Sequence, residues 1–164
     1  MINFVGLSAV LTGFTAKTIA PKIDPINIKI EYYAKFQTEI GTNLFTQILS
    51  DFQTLNIPPE IGQTQEERNQ LIGKDMLAYS KGSAYIMACR KLIFLWYSGA
   101  WPSIIPATDC TPESTSSILL SSKSYTSGLV WQVMQSHPMG DSNYRYGYWA
   151  NEPADLNEYT GNTN

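Results

Sequence analysis

Apolar residues recur at three- and four-residue spacing along most of the chain, and that period predicts helices. Phe4, Leu7, Val10, Leu11 and Phe14 mark a short helix over residues 4–15. Pro21 and Pro25 break the chain, and Ile30, Tyr33, Phe36 and Ile40 then line one side of a second helix over residues 27–39, closed by Gly41. Thr42 is placed to cap a third helix over residues 43–54, striped by Leu44, Phe45, Ile48, Leu49, Phe52 and Leu55 and stopped by Pro58 and Pro59. Thr64 followed by Glu67 is a capping box, opening a fourth helix over residues 65–79 with Leu71, Ile72, Met76 and Tyr79 inside.

Residues 84–97 are apolar nearly all round, broken only by Arg90 and Lys91. Such a helix lies at the centre of a core or is covered by a partner. Gly99 and Pro102 end it, and residues 101–118, rich in Pro, Ser and Thr, read as a long loop. A last helix is expected over residues 122–136, with Tyr125, Leu129, Val130, Val133 and Met134 facing inward. Strand signals are weak throughout. The pattern predicts an all-α fold: a single helical domain of about five to six helices over residues 1–136, then an irregular aromatic arm and polar tail over residues 137–164.

Composition sharpens this picture. The chain has 164 residues, enough for one domain with a sizeable core. Only 15% of residues are charged, below the usual share of about a quarter, while ten are tyrosine and four tryptophan. Low charge beside many aromatics implies that part of the surface is covered. A net charge of −3 argues against nucleic acid, whose phosphates are held by Lys and Arg. The apolar run Phe4–Leu11 is too short to span a bilayer, so no direct membrane span is expected. It lacks a preceding basic residue and is not a normal signal peptide.

The chain contains no GxGxxG, no phosphate-cradling GKS or GKT, no GxSxG, no SxxK and no HExxH. No catalytic, cofactor-binding or metal site is assigned. His137 is the single imidazole, with Asp141 four residues on; its expected role is structural, at a helix C-terminus where exposed carbonyls favour a donor or a cation. Glu66 and Glu67 diverge around a helix and read as cap and solvated face. Cys89 and Cys110 show no metal-ligand spacing. They read as a buried thiol and a loop thiol, or as one disulfide closing the loop, which in an oxidising compartment adds roughly 3 kcal/mol.

The stretch HPMGDSNYRYGYWANEP, residues 137–153, follows the last helix. Tyr144, Tyr146 and Tyr148 alternate, so an extended arm sets them on one face and Trp149 on the other. Such a face can pack on its own core, stack on a sugar, or anchor an interface, where Tyr, Trp and Arg are enriched.

FVGLSAVLTGF (4–14), LWYSGAW (95–101) and SYTSGLVWQVMQSHPMGDSNYRYGYWANEP (124–153) resemble the small, or gamma, subunit of membrane-bound, FAD-dependent sugar dehydrogenase complexes, the family serving sorbitol, fructose, glucose and other alcohol dehydrogenases. The resemblance implies a non-catalytic chain with no cofactor of its own. Its partner would be a large subunit that holds FAD and oxidises the sugar, accompanied in some complexes by a cytochrome c subunit. It also implies a periplasmic or membrane-associated location through the complex. The family's small subunit usually carries a twin-arginine signal; here Met1 lies three residues before the first matching motif and no twin arginine precedes it. On this reading Trp131, His137, Pro138, Tyr144, Tyr146, Tyr148 and Trp149 bind the large subunit, the Pro-Met-Gly turn aiming the arm and Trp149 anchoring it. The rival expectation is a free-standing carbohydrate-binding module that uses the Tyr144, Tyr146 and Tyr148 face.

Overall fold

The computed structural model describes residues 1–105, 114–136, 138 and 156–160; over these the chain is mostly helical with one small antiparallel sheet. It divides into two compact units, Met1–Ile93 and Phe94–Asn164, with the boundary inside one continuous helix.

The first unit comprises α1 (Ile2–Thr12), α2 (Ala16–Ile19), α3 (Ile28–Ile40), α4 (Thr42–Leu55), α5 (Gln65–Met76), a single 3-10 turn at Tyr79–Lys81 and the start of α6 (Ser83–Ser98). α1 is its hub and packs against α2, α4 and α5. A short apolar helix can touch three neighbours only if some crossings are close. At Gly6 an added Cβ would lie 2.9 Å from the Phe52 ring of α4, so glycine leaves the room that this ring occupies against α1. Phe4 meets Tyr33 edge to face at 5.3 Å, Tyr33 meets Phe45 at 5.0 Å, and Phe36 meets Phe45 at 5.8 Å. Rings from α1, α3 and α4 thus close one aromatic core, each edge-to-face pair adding about 0.5–1.5 kcal/mol to the burial itself.

The capping box at the start of α5 is complete: Glu67 N–H donates to Thr64 Oγ1 at 3.2 Å and Thr64 N–H to Glu67 Oε2 at 2.9 Å. Four local expectations are corrected. On α3 the buried stripe is Ile28, Tyr32 and Phe36, leaving Ile30 half exposed, because one residue turns the helix by about 100° and the large Tyr32 takes the inward place. Thr42 is the first residue of α4 rather than its cap; Gly41 stands at the cap and has no side chain to contribute. α5 stops at Met76, since Ala78 is extended (φ −68°, ψ 141°), and Tyr79 points into solvent. Leu71 is half exposed.

In the second unit α6 finishes at Ser98, and β1 (Ala100–Ile105) pairs antiparallel with β2 (Ser114–Leu119), Trp101 opposite Ile118 and Pro102 opposite Ser117. The expected loop over residues 101–118 therefore contains a hairpin. The expected helix over residues 122–136 is two short ones, α7 (Ser122–Thr126) and α8 (Leu129–Val133), parted at Ser127 and Gly128. Within the tail, α9 covers Asn157–Thr160.

Candidate partner-binding surface

The site expected from the sequence is the arm and the helix end from which it departs. α7 opens on a serine capping box. Ser124 N–H donates to Ser121 Oγ at 3.0 Å, Ser121 N–H donates to Ser124 Oγ at 2.9 Å, and Ser124 Oγ–H donates to Ser121 O at 2.7 Å. Trp131 then ties α8 back to α7. Its indole N–H donates to Tyr125 O at 2.7 Å, and the two rings meet edge to face at 5.2 Å. Trp131, expected at the partner interface, thus spends its donor and one ring edge inside its own unit.

Two glycines decide how this assembly closes. Gly99 has φ +70°, and a Cβ there would sit 2.1 Å from Ser124 O. At Gly128 a Cβ would sit 2.8 Å from Tyr97 O. LWYSGAW and SYTSGLVW are therefore two halves of one interlocked piece, each presenting a glycine to the other's backbone. Within these two stretches Leu95, Trp96, Trp101 and Leu129 are buried.

α8 ends in a Schellman motif. Gln135 takes the left-handed conformation (φ 49°) while Ser136 N–H donates to Trp131 O at 2.9 Å and Gln135 N–H to Gln132 O at 3.0 Å. Val133 and Met134, expected inside, are 43% and 63% exposed beside it, because the break at Gly128 resets the helical phase and leaves Leu129 as the buried residue of α8. Pro138 is half-buried. His137, Asp141, Tyr144, Tyr146, Tyr148, Trp149 and Cys110 lie outside the described residues.

Cys89 is a free thiol, fully buried in α6, and burial pushes its pKa up to about 12. A thiol held neutral in this way is inert toward electrophiles at ordinary pH. α6 buries Tyr85, Ile86, Ala88, Cys89, Leu92, Leu95 and Trp96 but turns Met87 (46% exposed) and Phe94 (41%) outward, two turns apart on one face with Arg90 between. Near its start, Lys81 Nζ lies 3.0 Å from Asp51 and 4.0 Å from Asp75, and stands 5.7 Å from the Tyr85 ring centroid. The cluster joins α4, α5 and α6 and is satisfied internally. A hollow of about 500 Å³ between Glu60 and Lys74 is lined by Glu67, Gln70, Leu71 and Ile61. Its Glu67 carboxylate is occupied with the α5 cap, and the Thr64 backbone and hydroxyl donors hold it below the usual carboxylate range.

Among the described residues no group of three His, Cys, Asp or Glu side chains is placed to hold a metal ion. No described helix is long and apolar enough to cross a membrane. No family model matches the chain, and no curated protein and no solved structure is significantly similar to it.

The hairpin and its exposed strand β2 were missed by sequence reasoning. The one available signal was the run STSSIL, rich in serine with one β-branched threonine and isoleucine, set between turn-forming segments.

Proposed function

We propose that the chain is a non-catalytic small subunit that stabilises, and helps to mature or export, the FAD-containing catalytic subunit of a sugar or alcohol dehydrogenase complex. The observation carrying this reading is the interlock of LWYSGAW with SYTSGLVW. Two of the three stretches on which the resemblance rests meet at Gly99 and Gly128, where only glycine fits. A shared pattern that specifies one packed unit is a stronger link than scattered matching residues. Exposed apolar side chains add support. Met87 and Phe94 on α6, and Val133 and Met134 at the root of the arm, are surface that a large partner would cover.

In this reading the large subunit supplies FAD and the oxidation, a cytochrome c subunit takes the electrons where one is present, and the complex works in the periplasm or at its membrane. The chain contributes surface alone. Co-expression with a FAD-binding oxidoreductase encoded beside it tests the reading. The expected result is co-purification and a gain in dye-linked sugar oxidation over either chain alone. Turnover of sugars by this chain alone with added FAD, or an unchanged yield of active large subunit without it, overturns it.

A further inference from the structure

The hydrogen-bonding phase of the hairpin determines which backbone groups of β2 face away from β1. Leu120 N–H donates to Gly99 O at 3.2 Å, which makes Gly99 and Leu120 a hydrogen-bonded pair. In an antiparallel ladder the two kinds of pair alternate. Trp101↔Ile118 and Ser103↔Ser116 are then hydrogen-bonded, and Ala100↔Leu119, Pro102↔Ser117 and Ile104↔Thr115 are not. Pro102 falls in the second class, the one its missing N–H permits. The N–H and C=O groups of Thr115, Ser117 and Leu119 therefore point outward, and among the described residues no third strand meets them. Every side chain from Thr115 to Leu119 is exposed, Ile118 at 62% and Leu119 at 47%.

The two edges of this sheet differ. The outer edge of β1 carries Pro102, which lacks a donor there. The outer edge of β2 has no proline, and no charged residue occurs from 114 to 122. Proteins usually blunt an exposed edge with lysine, proline, a bulge or a covering element. β2 carries no proline and no charge, and its side chains from Thr115 to Leu119 are exposed.

We propose that the outer edge of β2 is a strand-pairing site whose occupant is a second copy of this chain, paired antiparallel about Ser117. The register follows from symmetry. With Ser117 opposite Ser117 of the second copy, Thr115 lies opposite Leu119 and Leu119 opposite Thr115. All three are outward-facing residues, so each pair exchanges both backbone hydrogen bonds. The uncharged strand meets itself with no like charges opposed, and the product is a continuous four-stranded sheet. A single pair of strands buries little area, so the association is weak and concentration-dependent. It does not depend on the dehydrogenase reading.

Sedimentation velocity of the full chain from roughly 1 to 200 µM, a range that covers micromolar dissociation constants, tests it. The wild type is expected to shift from monomer to dimer with concentration. Ser117→Pro removes an outward donor while sparing the ladder to β1, and Ser117→Lys sets two like charges opposite each other. Both are expected to weaken association at least roughly tenfold with an unchanged circular-dichroism spectrum; the lysine variant serves if the proline disturbs the fold. A wild type that stays monomeric throughout overturns the proposal. So does association that both variants leave intact. A monomer whose co-purification with a FAD-binding subunit is lost on Ser117→Lys also overturns it, assigning the edge to that partner's strand.

Discussion

Each of the two units is packed internally in its own way. In Met1–Ile93 the work is done by long side chains on regular helices. Rings of Phe4, Tyr33, Phe36 and Phe45 meet edge to face, and Ile48, Phe52, Ile72 and Met76 fill the space between helices. In Phe94–Asn164 the described helices after α6 run four or five residues, and closure depends on what is missing: the side chains of Gly99 and Gly128. In the first kind of packing a side chain can shift to absorb part of a small change of volume. The second meets backbone against backbone and cannot yield. The described tryptophans, at 96, 101 and 131, lie in the second unit, so their fluorescence follows that unit while far-UV circular dichroism is dominated by the helices of the first.

The largest effect is expected from Phe36→Ala, which empties the middle of the aromatic core and should cost about 3–5 kcal/mol in denaturant unfolding followed by circular dichroism. Phe36 is fully buried. A cost below about 1 kcal/mol would mean that the first unit is not organised around its rings.

Gly99→Ala comes next. It combines a backbone clash with a left-handed φ and should cost about 2–4 kcal/mol, read by tryptophan fluorescence. Gly13→Ala is the control: its φ is +78° but nothing lies within 4 Å of the added Cβ, so only the conformational cost of about 1–2 kcal/mol remains. Equal losses at the two sites would remove the case for interlock.

A graded effect comes from alkali. Burial raises the pKa of Tyr32, Tyr85 and Cys89, all in the first unit. Groups whose folded pKa lies above the unfolded one give stability that is full below the unfolded value and is lost as pH rises toward the folded one. For Cys89 that window runs from 9.0 to about 12. Stability by circular dichroism should therefore fall across this range, with native alkylation of Cys89 by iodoacetamide negligible at pH 8. Rapid native alkylation would show the first unit to be open.

The smallest effect is at the α5 cap, where Thr64→Ala should cost about 1 kcal/mol. Glu67 has a folded pKa lowered from 4.5, so its part in the box is present above that value and is lost as pH falls through the lower folded one. The penalty of Thr64→Ala measured by thermal melts should shrink as the pH drops below 4.5; a penalty independent of pH would leave the carboxylate no part in the cap.

How much was legible follows the same divide. The third helix was read nearly whole, since Phe45, Ile48 and Phe52 recur at the period of a buried face and Pro58 and Pro59 bound it. The Thr64–Glu67 box was read with both of its bonds, because its partners are three residues apart. The second unit was not read this way. Ser127 and Gly128 look like a tolerable interruption of a helix, and only the backbone carbonyl of Tyr97, about thirty residues earlier, shows why residue 128 must be glycine. Trp131 was picked out, yet its partner, the Tyr125 carbonyl, follows from the turn between α7 and α8.

Local pattern fixed the helical class, the extent of α4 and the Thr64–Glu67 cap of α5, because periodicity, proline and capping act over three to seven residues. Contacts across the fold decided which side of α3 faces the core, the pairing of β1 with β2, the need for glycine at 128 and the edge along Thr115, Ser117 and Leu119 that no described strand meets. Each of these depends on a contact or hydrogen bond between residues distant in the chain, and no local pattern encodes which distant backbone will arrive.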